Sequence, residues 1–180
     1  LLINSVAFTP ELPRQLSVIM QSTHTWMSES VKFALSFESP FWRNKGYSGT
    51  VYSQAGPVVE MYDHCNAEED AFALKGFLSG SVQHLDETER KQQVIAQLTK
   101  LFGDNTPVDG IYTDRIWGRE NFIHYPYEGY ILPHQHNGHP VYRQAYMNGK
   151  LWIAGTETAP AFPGYMDGAV AAANFVAKQF

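Results

Sequence analysis

The stretch from Leu151 to Val170, LWIAGTETAPAFPGYMDGAV, constrains this chain more than any other. It opens as an apolar run, LWIAG, that reads as a strand. It breaks into a loop punctuated by Gly155, Pro160, Pro163 and Gly164, then resumes as the alanine-rich helix of YMDGAVAAANFVAKQF. A strand that feeds a glycine-containing bend and then a helix start presents backbone N–H groups to a negatively charged ligand. The first helical turn has unpaired donors and carries the positive end of the dipole. An ordinary strand-to-helix connection has the same punctuation, because Gly and Pro between elements are the rule. Spacing alone leaves both readings open.

The bulk properties narrow the class. A chain of 180 residues fits one domain, or a piece of a larger one, and is long enough to bury a sizeable core. The formal net charge of −5 comes without a basic patch, which argues against nucleic acid or an anionic membrane surface as partner. A single cysteine, Cys65, rules out an internal disulfide framework and a Cys-rich metal site. No apolar run approaches the ~20 residues of a membrane span. The aromatic share of 14%, with ten Tyr and eleven Phe, fits either an aromatic-lined ligand site or a β-rich core. The chain begins LLINSVAF, without an initiating Met or a signal peptide. The expectation is therefore a C-terminal part excised from a longer, cytoplasmic protein.

Taken in order, Leu1 to Phe8 reads as a strand, and Arg14 to Ser22 as a short helix with Leu16, Ile19 and Met20 on one side. SVKFALSF, Ser30 to Phe37, alternates with period two: Val31, Phe33, Leu35 and Phe37 share one face, and Lys32, Ala34 and Ser36 the other. Tyr47 to Tyr52, Val58 to Tyr62 and Ala71 to Leu78 read as further strands of an antiparallel sheet, with Gly56-Pro57 as a turn. Asp86 to Phe102 is the clearest helix. Asp86 and Glu89 make a capping box, Val94, Leu98, Leu101 and Phe102 share a face, and Gly103 stands where a C-terminal cap belongs. Val108 to Trp117 reads as another strand, followed by the aromatic-rich irregular segment NFIHYPYEGYILPHQHNGHPVY. Within it His134, His136 and His139 alternate as metal ligands can, but no acidic or Cys partner lies close and Pro133 and Gly138 mark a surface loop. No metal site is expected.

AGTET followed by YMDGAV resembles the C-terminal signature of the flavin-containing amine oxidases, the monoamine and polyamine oxidase family. The resemblance runs over nearly the whole chain. VKFALSFESPFWR is similar to the family's strand ending in a Pro-Phe-Trp-(Arg/Lys) corner, and it implies that Lys32 is the active-site lysine holding a water against flavin N5. A buried ammonium there favours the anionic reduced flavin and the charge that develops on O₂. Read from the residues alone, Lys32 is a lysine on the wet face of a half-exposed strand. GPVVEMYD resembles the next family strand, which implies that Glu60 and Tyr62 lie toward the entrance of the substrate cavity; a solvated strand face accounts for Glu60 equally well. PVDGIYTDRIWGRENF implies that Trp117 packs on the flavin edge, although a large indole also caps sheets.

Ten residues beyond Trp117, Tyr127 corresponds to one wall of the family's aromatic cage, and Tyr165 to the other. Two such rings steer the amine toward the flavin and favour a cation on binding. By the same resemblance the backbone of Gly155, Thr156 and Glu157 meets the pyrophosphate and ribityl region of FAD. The amides near Gly164, Tyr165 and Met166 face the N1–C2=O edge, and Phe162 replaces a tryptophan common in the substrate site. Tyr125-Pro126 stands where some members carry a flavin-linking cysteine, so the FAD is non-covalent.

The implied fold is α+β: a mostly antiparallel or mixed sheet with packed helices over residues 1–149, the substrate-binding part, closed by a strand-turn-helix over 150–180 that belongs to the FAD-binding domain. The implied reaction is oxidation of an amine C–N bond with O₂ as acceptor, giving an imine and then an aldehyde or ketone, with hydrogen peroxide. A flavin desaturase or protoporphyrinogen-type oxidase acting on C–C bonds is the alternative, as is a non-catalytic module. The Gly-rich dinucleotide fingerprint is absent, so the stretch by itself is expected to be inactive and not to retain FAD. Amine and O₂ are the expected partners, with a homo-oligomer left open.

Overall fold

In the computed structural model, residues 2–25, 27, 29–121, 123 and 129–180 are described. In chain order their helices are α1 (Leu2–Ser5), α2 (Arg14–Gln21), α3 (Phe41–Asn44), α4 (Glu87–Phe102) and α5 (Met166–Ala177). Their strands are β1 (Val31–Phe37), β2 (Val51–Tyr52), β3 (Val58–Asp63), β4 (Phe72–Leu78) and β5 (Ile111–Ile116). The chain divides into two compact units, Glu29–Gly118 and Leu1–Ser28 with Arg119–Phe180. The fold is mixed, helices with an antiparallel sheet. No helix among the described residues is long and apolar enough to cross a membrane.

In the first unit five strands form one sheet in the order β2-β3-β4-β1-β5, every pair antiparallel. An antiparallel sheet covered on one face alternates apolar and polar residues. β1 follows that rule: Val31, Phe33 and Leu35 are buried, while Lys32 and Ser36 are exposed. The covering element is α4, whose Val94, Ile95, Leu98 and Phe102 join β1 in a single core cluster. Its capping box is formed, with Asp86 accepting from the Glu89 amide at 2.8 Å and Glu89 from the Asp86 amide at 3.0 Å. Gly103 closes it at φ 91°, a left-handed conformation that glycine adopts without strain. Leu101, expected on the buried face, is 41% exposed, and Ile95 is buried instead. The apolar stripe runs along the Ile95–Phe102 flank of the helix and leaves Leu101 outside it.

Polar bonds lock α4 to the sheet on two sides. The buried Gln97 amide accepts from the Val58 N–H at 2.7 Å and donates to the Val58 and Ala55 carbonyls at 2.9 and 2.8 Å. On the other side Arg90 pairs with Asp114 of β5 at 2.5 Å, both side chains 5% exposed, and the Tyr112 hydroxyl donates to the same carboxylate at 2.7 Å. Between β3 and β4 the register shifts at Val58/Glu60, and the chains approach so closely that a Cβ on Gly76 would stand 2.0 Å from the Glu60 carbonyl oxygen. The Pro-Phe-Trp-Arg corner is the short helix α3. It buries Phe41 and Trp42, while the Trp42 indole and the Arg43 guanidinium both donate to Asp63.

In the second unit Leu12, Leu16, Val141, Tyr142 and Tyr146 form a smaller core, with Ile3, Ile19, Leu151 and Ile153 packed around it. Four expected strands are corrected. Leu1 to Phe8 holds the helical turn α1 rather than a strand, because a short apolar run suits either element and Ile3 has a core to face but no ladder to join. LWIAG forms only an isolated bridge, Tyr146 with Leu151, for lack of a strand neighbour among the described residues of its unit. Tyr47 to Tyr52 reduces to β2, and the strand expected over Val108 to Trp117 is limited to Ile111–Ile116.

Two outcomes test this account. Asp114→Ala strands a buried guanidinium and is expected to cost about 3–5 kcal/mol, read as a drop in the urea midpoint. The Arg43 guanidinium, helped by the Cys65 amide and the Trp42 indole, holds the Asp63 carboxyl well below the usual carboxylate range. A depressed carboxyl pKa stabilises the fold fully above the unfolded value of about 4 and loses that contribution as pH falls further. Asp63→Asn therefore lowers the melting temperature at neutral pH and flattens its decline below about pH 4.

Candidate cofactor and substrate site

With α4 on one face, the other face of the sheet is open, and its residues follow from register. One cross-strand row runs Tyr52, Glu60, Phe77, Lys32, Arg115 through all five strands. The ammonium of Lys32 lies 5.5 Å from the centroid of the Phe77 ring, a cation–π contact. Lys32, expected to be a buried ammonium, is exposed on the sheet unit because it occupies the phase of β1 opposite α4. At the β2–β3 end the Tyr52 and Tyr62 hydroxyls are 2.7 Å apart with their rings edge-to-face. Hydrogen bonds to Tyr52 and then to Glu60 push the Tyr62 phenol well above its ordinary pKa, so it stays a neutral donor beside the Glu60 carboxylate. Trp117 begins a 3-10 turn directly after β5, half-buried, with its amide donating to the Ser30 carbonyl at 3.1 Å.

The second unit carries the loop and helix start. Thr156–Thr158 forms a 3-10 turn. The Thr158 hydroxyl donates to the Gly155 carbonyl at 2.8 Å, and the Thr156 hydroxyl donates to the Tyr165 carbonyl at 2.7 Å, tying the AGTET loop to the residue just before the helix. Tyr165 is the N-cap of α5 and no side chain caps that terminus, so the first-turn N–H groups remain available. Asp167 in that turn adds a negative charge of its own and weakens the terminus as an anion site. Gly164 takes φ 87°, and a Cβ on Gly168 would lie 2.2 Å from the Phe162 carbonyl oxygen. The loop can therefore lie directly on the helix only with glycine there. Phe162, Tyr165 and Met166 are 67%, 50% and 88% exposed, an apolar surface of the kind that marks a binding site.

Beside this loop lies a cavity of about 300 Å³ lined by Met20, Thr23, Thr25, Tyr142, Ala154, Gly155 and Glu157 among others. The Thr23 and Tyr142 hydroxyls meet there at 2.5 Å. Its size is at the low end for ligand pockets. Uncapped amides, a glycine-bearing loop and hydroxyl donors suit the phosphate and polyol portion of FAD. In sequence Thr23 and Tyr142 give no signal, being 119 residues apart. Tyr52, Phe77 and Arg115 could have been found by extending the period-two alternation of β1 to its neighbours.

Lys32, Glu60, Tyr62 and Trp117 thus belong to the sheet unit, and Gly155, Thr156, Glu157, Phe162, Gly164, Tyr165 and Met166 to the other. Tyr127, with Tyr125 and Pro126, lies outside the described residues. In this loop the His139 ring holds backbone, and the backbone of His134 is itself held by a histidine outside the loop. His139 Nδ1 accepts from the Val141 amide at 3.1 Å and the His134 amide donates to His24 Nδ1 at 3.2 Å. Among the described residues no three His, Cys, Asp or Glu side chains converge as a metal site.

Residues 3–179 match the family described as "Flavin containing amine oxidoreductase". The chain belongs to this family. It is 27% identical to the flavin-containing amine oxidase of Oncorhynchus mykiss over 96% of its length, and 26% identical to the flavin-containing amine oxidase B of Canis lupus familiaris over 97%. It spans just over a third of its curated relatives' length, 34% of these two and 38% of another. Among solved structures it resembles a putrescine oxidase with putrescine bound, at TM-score 0.80 and 27% identity, covering 99% of this chain and 40% of that one. A cyclohexylamine oxidase from Brevibacterium oxydans, at TM-score 0.70 and 24% identity, shares the fold.

Gly168→Ala tests the loop-to-helix contact. In an open helix this change stabilises by up to ~1 kcal/mol. Here the added methyl meets the Phe162 carbonyl, and in the complete flavoenzyme a loss of about 1–3 kcal/mol with reduced flavin content is expected from melting curves and absorbance.

Proposed function

We propose that the chain provides the substrate-facing sheet and the closing loop and helix of an FAD-dependent amine oxidase, with residues 1–149 as the substrate-binding part and 150–180 as part of the FAD-binding domain. The observation that carries the reading is the position of Lys32 on β1, which pairs with strands on both sides. Lys32 points to the uncovered face and shares a row with Glu60. A bound flavin would supply the two-electron acceptor for the carbon bearing the amine and the route by which those electrons reach O₂, chemistry that would yield imine and hydrogen peroxide.

The residues of this chain do the rest. The Lys32 ammonium supplies positive charge and N–H donors, able to hold a water and to favour negative charge as it develops. The Glu60 carboxylate, backed by Tyr62 and Tyr52, draws in a cationic amine. Strands lie ~4.8 Å apart, so two strand spacings put it about 10 Å along the row from Lys32, room for a substrate with a second ammonium such as the diamine held by the similar putrescine oxidase. Tyr165, and Tyr127 by resemblance, flank the reacting amine, while Trp117 packs on the flavin edge. Gly155, Thr156 and Glu157 hold the pyrophosphate and ribityl portion through backbone. The exposed apolar side chains of α5, Met166 and Val170 among them, suit cover by the remainder of the FAD-binding domain.

In the complete flavoenzyme, Lys32→Met is expected to slow flavin reoxidation by O₂ at least tenfold, on the order of 1.4 kcal/mol of lost charge stabilisation, with a much smaller change in amine KM. Stopped-flow absorbance reads both. An unchanged reoxidation rate removes Lys32 from this role, and a complete enzyme that releases no peroxide with any amine would falsify the amine oxidase reading in favour of C–C oxidation.

A further inference from the structure

We propose that Lys75 is a specificity-determining residue of the open sheet face. The substrate it selects is a terminal amine whose far end is an α-amino acid, the ammonium of that end taken by Glu60 and its carboxylate by Lys75. The inference rests on the amine oxidase reading above and names the substrate class within it. In β4 Leu74, Gly76 and Leu78 are buried, so Lys75 has the phase of Phe77 and lies on the face that α4 leaves uncovered. Register gives its neighbours: Tyr62 on β3 and Ala34 on β1 stand directly opposite Lys75. Glu60 and Lys32 both stand opposite Phe77, two residues on, and are therefore its diagonal neighbours, about 7–8 Å away.

The charge of Lys75 is not matched within the protein. Among the described residues its ammonium has no hydrogen bond, ion pair or ring contact. The Glu60 carboxylate accepts from the Tyr62 phenol instead. Asp63, the other acid of β3, takes its bonds from the Trp42 indole and the Arg43 guanidinium. Opposite charges that are cross-strand neighbours ordinarily stabilise a sheet by pairing. Held apart on one face, Glu60 and Lys75 match a ligand that carries both signs. A plain diamine brings its second ammonium up to Glu60 and, at the same time, up to the like charge of Lys75. A carboxylate on the carbon bearing that ammonium removes the conflict, and its bond to the Lys75 ammonium is charge-assisted. The small Ala34 opposite Lys75 leaves room over β1 for the chain that runs on to the reacting amine beside Lys32.

The test uses the complete holoenzyme, peroxide release, and two pairs of probes whose members differ by one carboxylate: putrescine with ornithine, and cadaverine with lysine. In at least one pair the parent is expected to show the higher kcat/KM for the carboxylated member. Lys75→Met is expected to lower that preference about tenfold, chiefly by raising the KM of the carboxylated probe, because a carboxylate remote from the reacting bond is held equally before and during reaction. Lys75→Arg keeps the charge and stays close to the parent preference. A preference unmoved by Lys75→Met overturns the proposal. So does a loss that is equal in Lys75→Met and Lys75→Arg, or one that falls on both members of a pair alike. A parent that prefers the plain diamines, or that releases peroxide with other amines and none of these four, overturns the substrate class and leaves the amine oxidase reading standing. No peroxide with any amine removes both.

Discussion

A helix laid across one face of an antiparallel sheet decides which residues of β1 are left for chemistry. α4 buries Val31, Phe33 and Leu35 and is held there on two sides, by Gln97 bonded to the backbone around Val58 and by Arg90 paired with Asp114. Both locks are buried and directional, so the helix cannot slide or roll without leaving polar groups unpaired, at a cost of kilocalories each. With that face occupied, the alternate residues Lys32, Phe77, Glu60 and Arg115 come to the open side as one row. The arrangement of charge on that row is a consequence of packing on the other.

The second unit uses backbone where the sheet unit uses side chains. The AGTET loop is shaped by the hydroxyls of Thr156 and Thr158, and it rests on the first turn of α5 through Gly168, where no Cβ is tolerated. What it offers a ligand is amide N–H groups and a cavity lined partly by hydroxyls, a chemistry suited to phosphates and polyols. α5 itself is apolar on most of its circumference, yet only Gly168 and Ala172 are buried. A helix of that composition ordinarily belongs inside a larger core, and the chain spans just over a third of the length of its curated relatives.

Much of this was legible in the residues, for local reasons. The alternation of SVKFALSF reports a half-buried strand because side chains there have a period of two, and it put Lys32 on the wet face before any partner strand was known. Asp86 with Glu89, and Gly103, mark the ends of α4 because capping bonds are made within a few residues of chain. Leu1 to Phe8 and LWIAG misled for a matching reason: an apolar run states a need for burial, and whether it becomes strand or helix depends on what lies alongside. In the second unit Ile3 found a core and Leu151 found a single bridge.

The sequence by itself determined the periodicities, the caps, the corner at Phe41–Trp42 and the motif that ties the chain to its family, since each is written in residues close together along the chain. Only the tertiary structure decided that Tyr52, Glu60, Phe77, Lys32 and Arg115 form one row, that Asp114 turns inward to Arg90, and that Thr23 meets Tyr142. The physical reason is register. A shift of one residue between neighbouring strands would carry every side chain to the opposite face, and the register here is set by the buried face, by the bulge at Val58/Glu60 and by the close approach at Gly76, contacts between residues far apart in the chain.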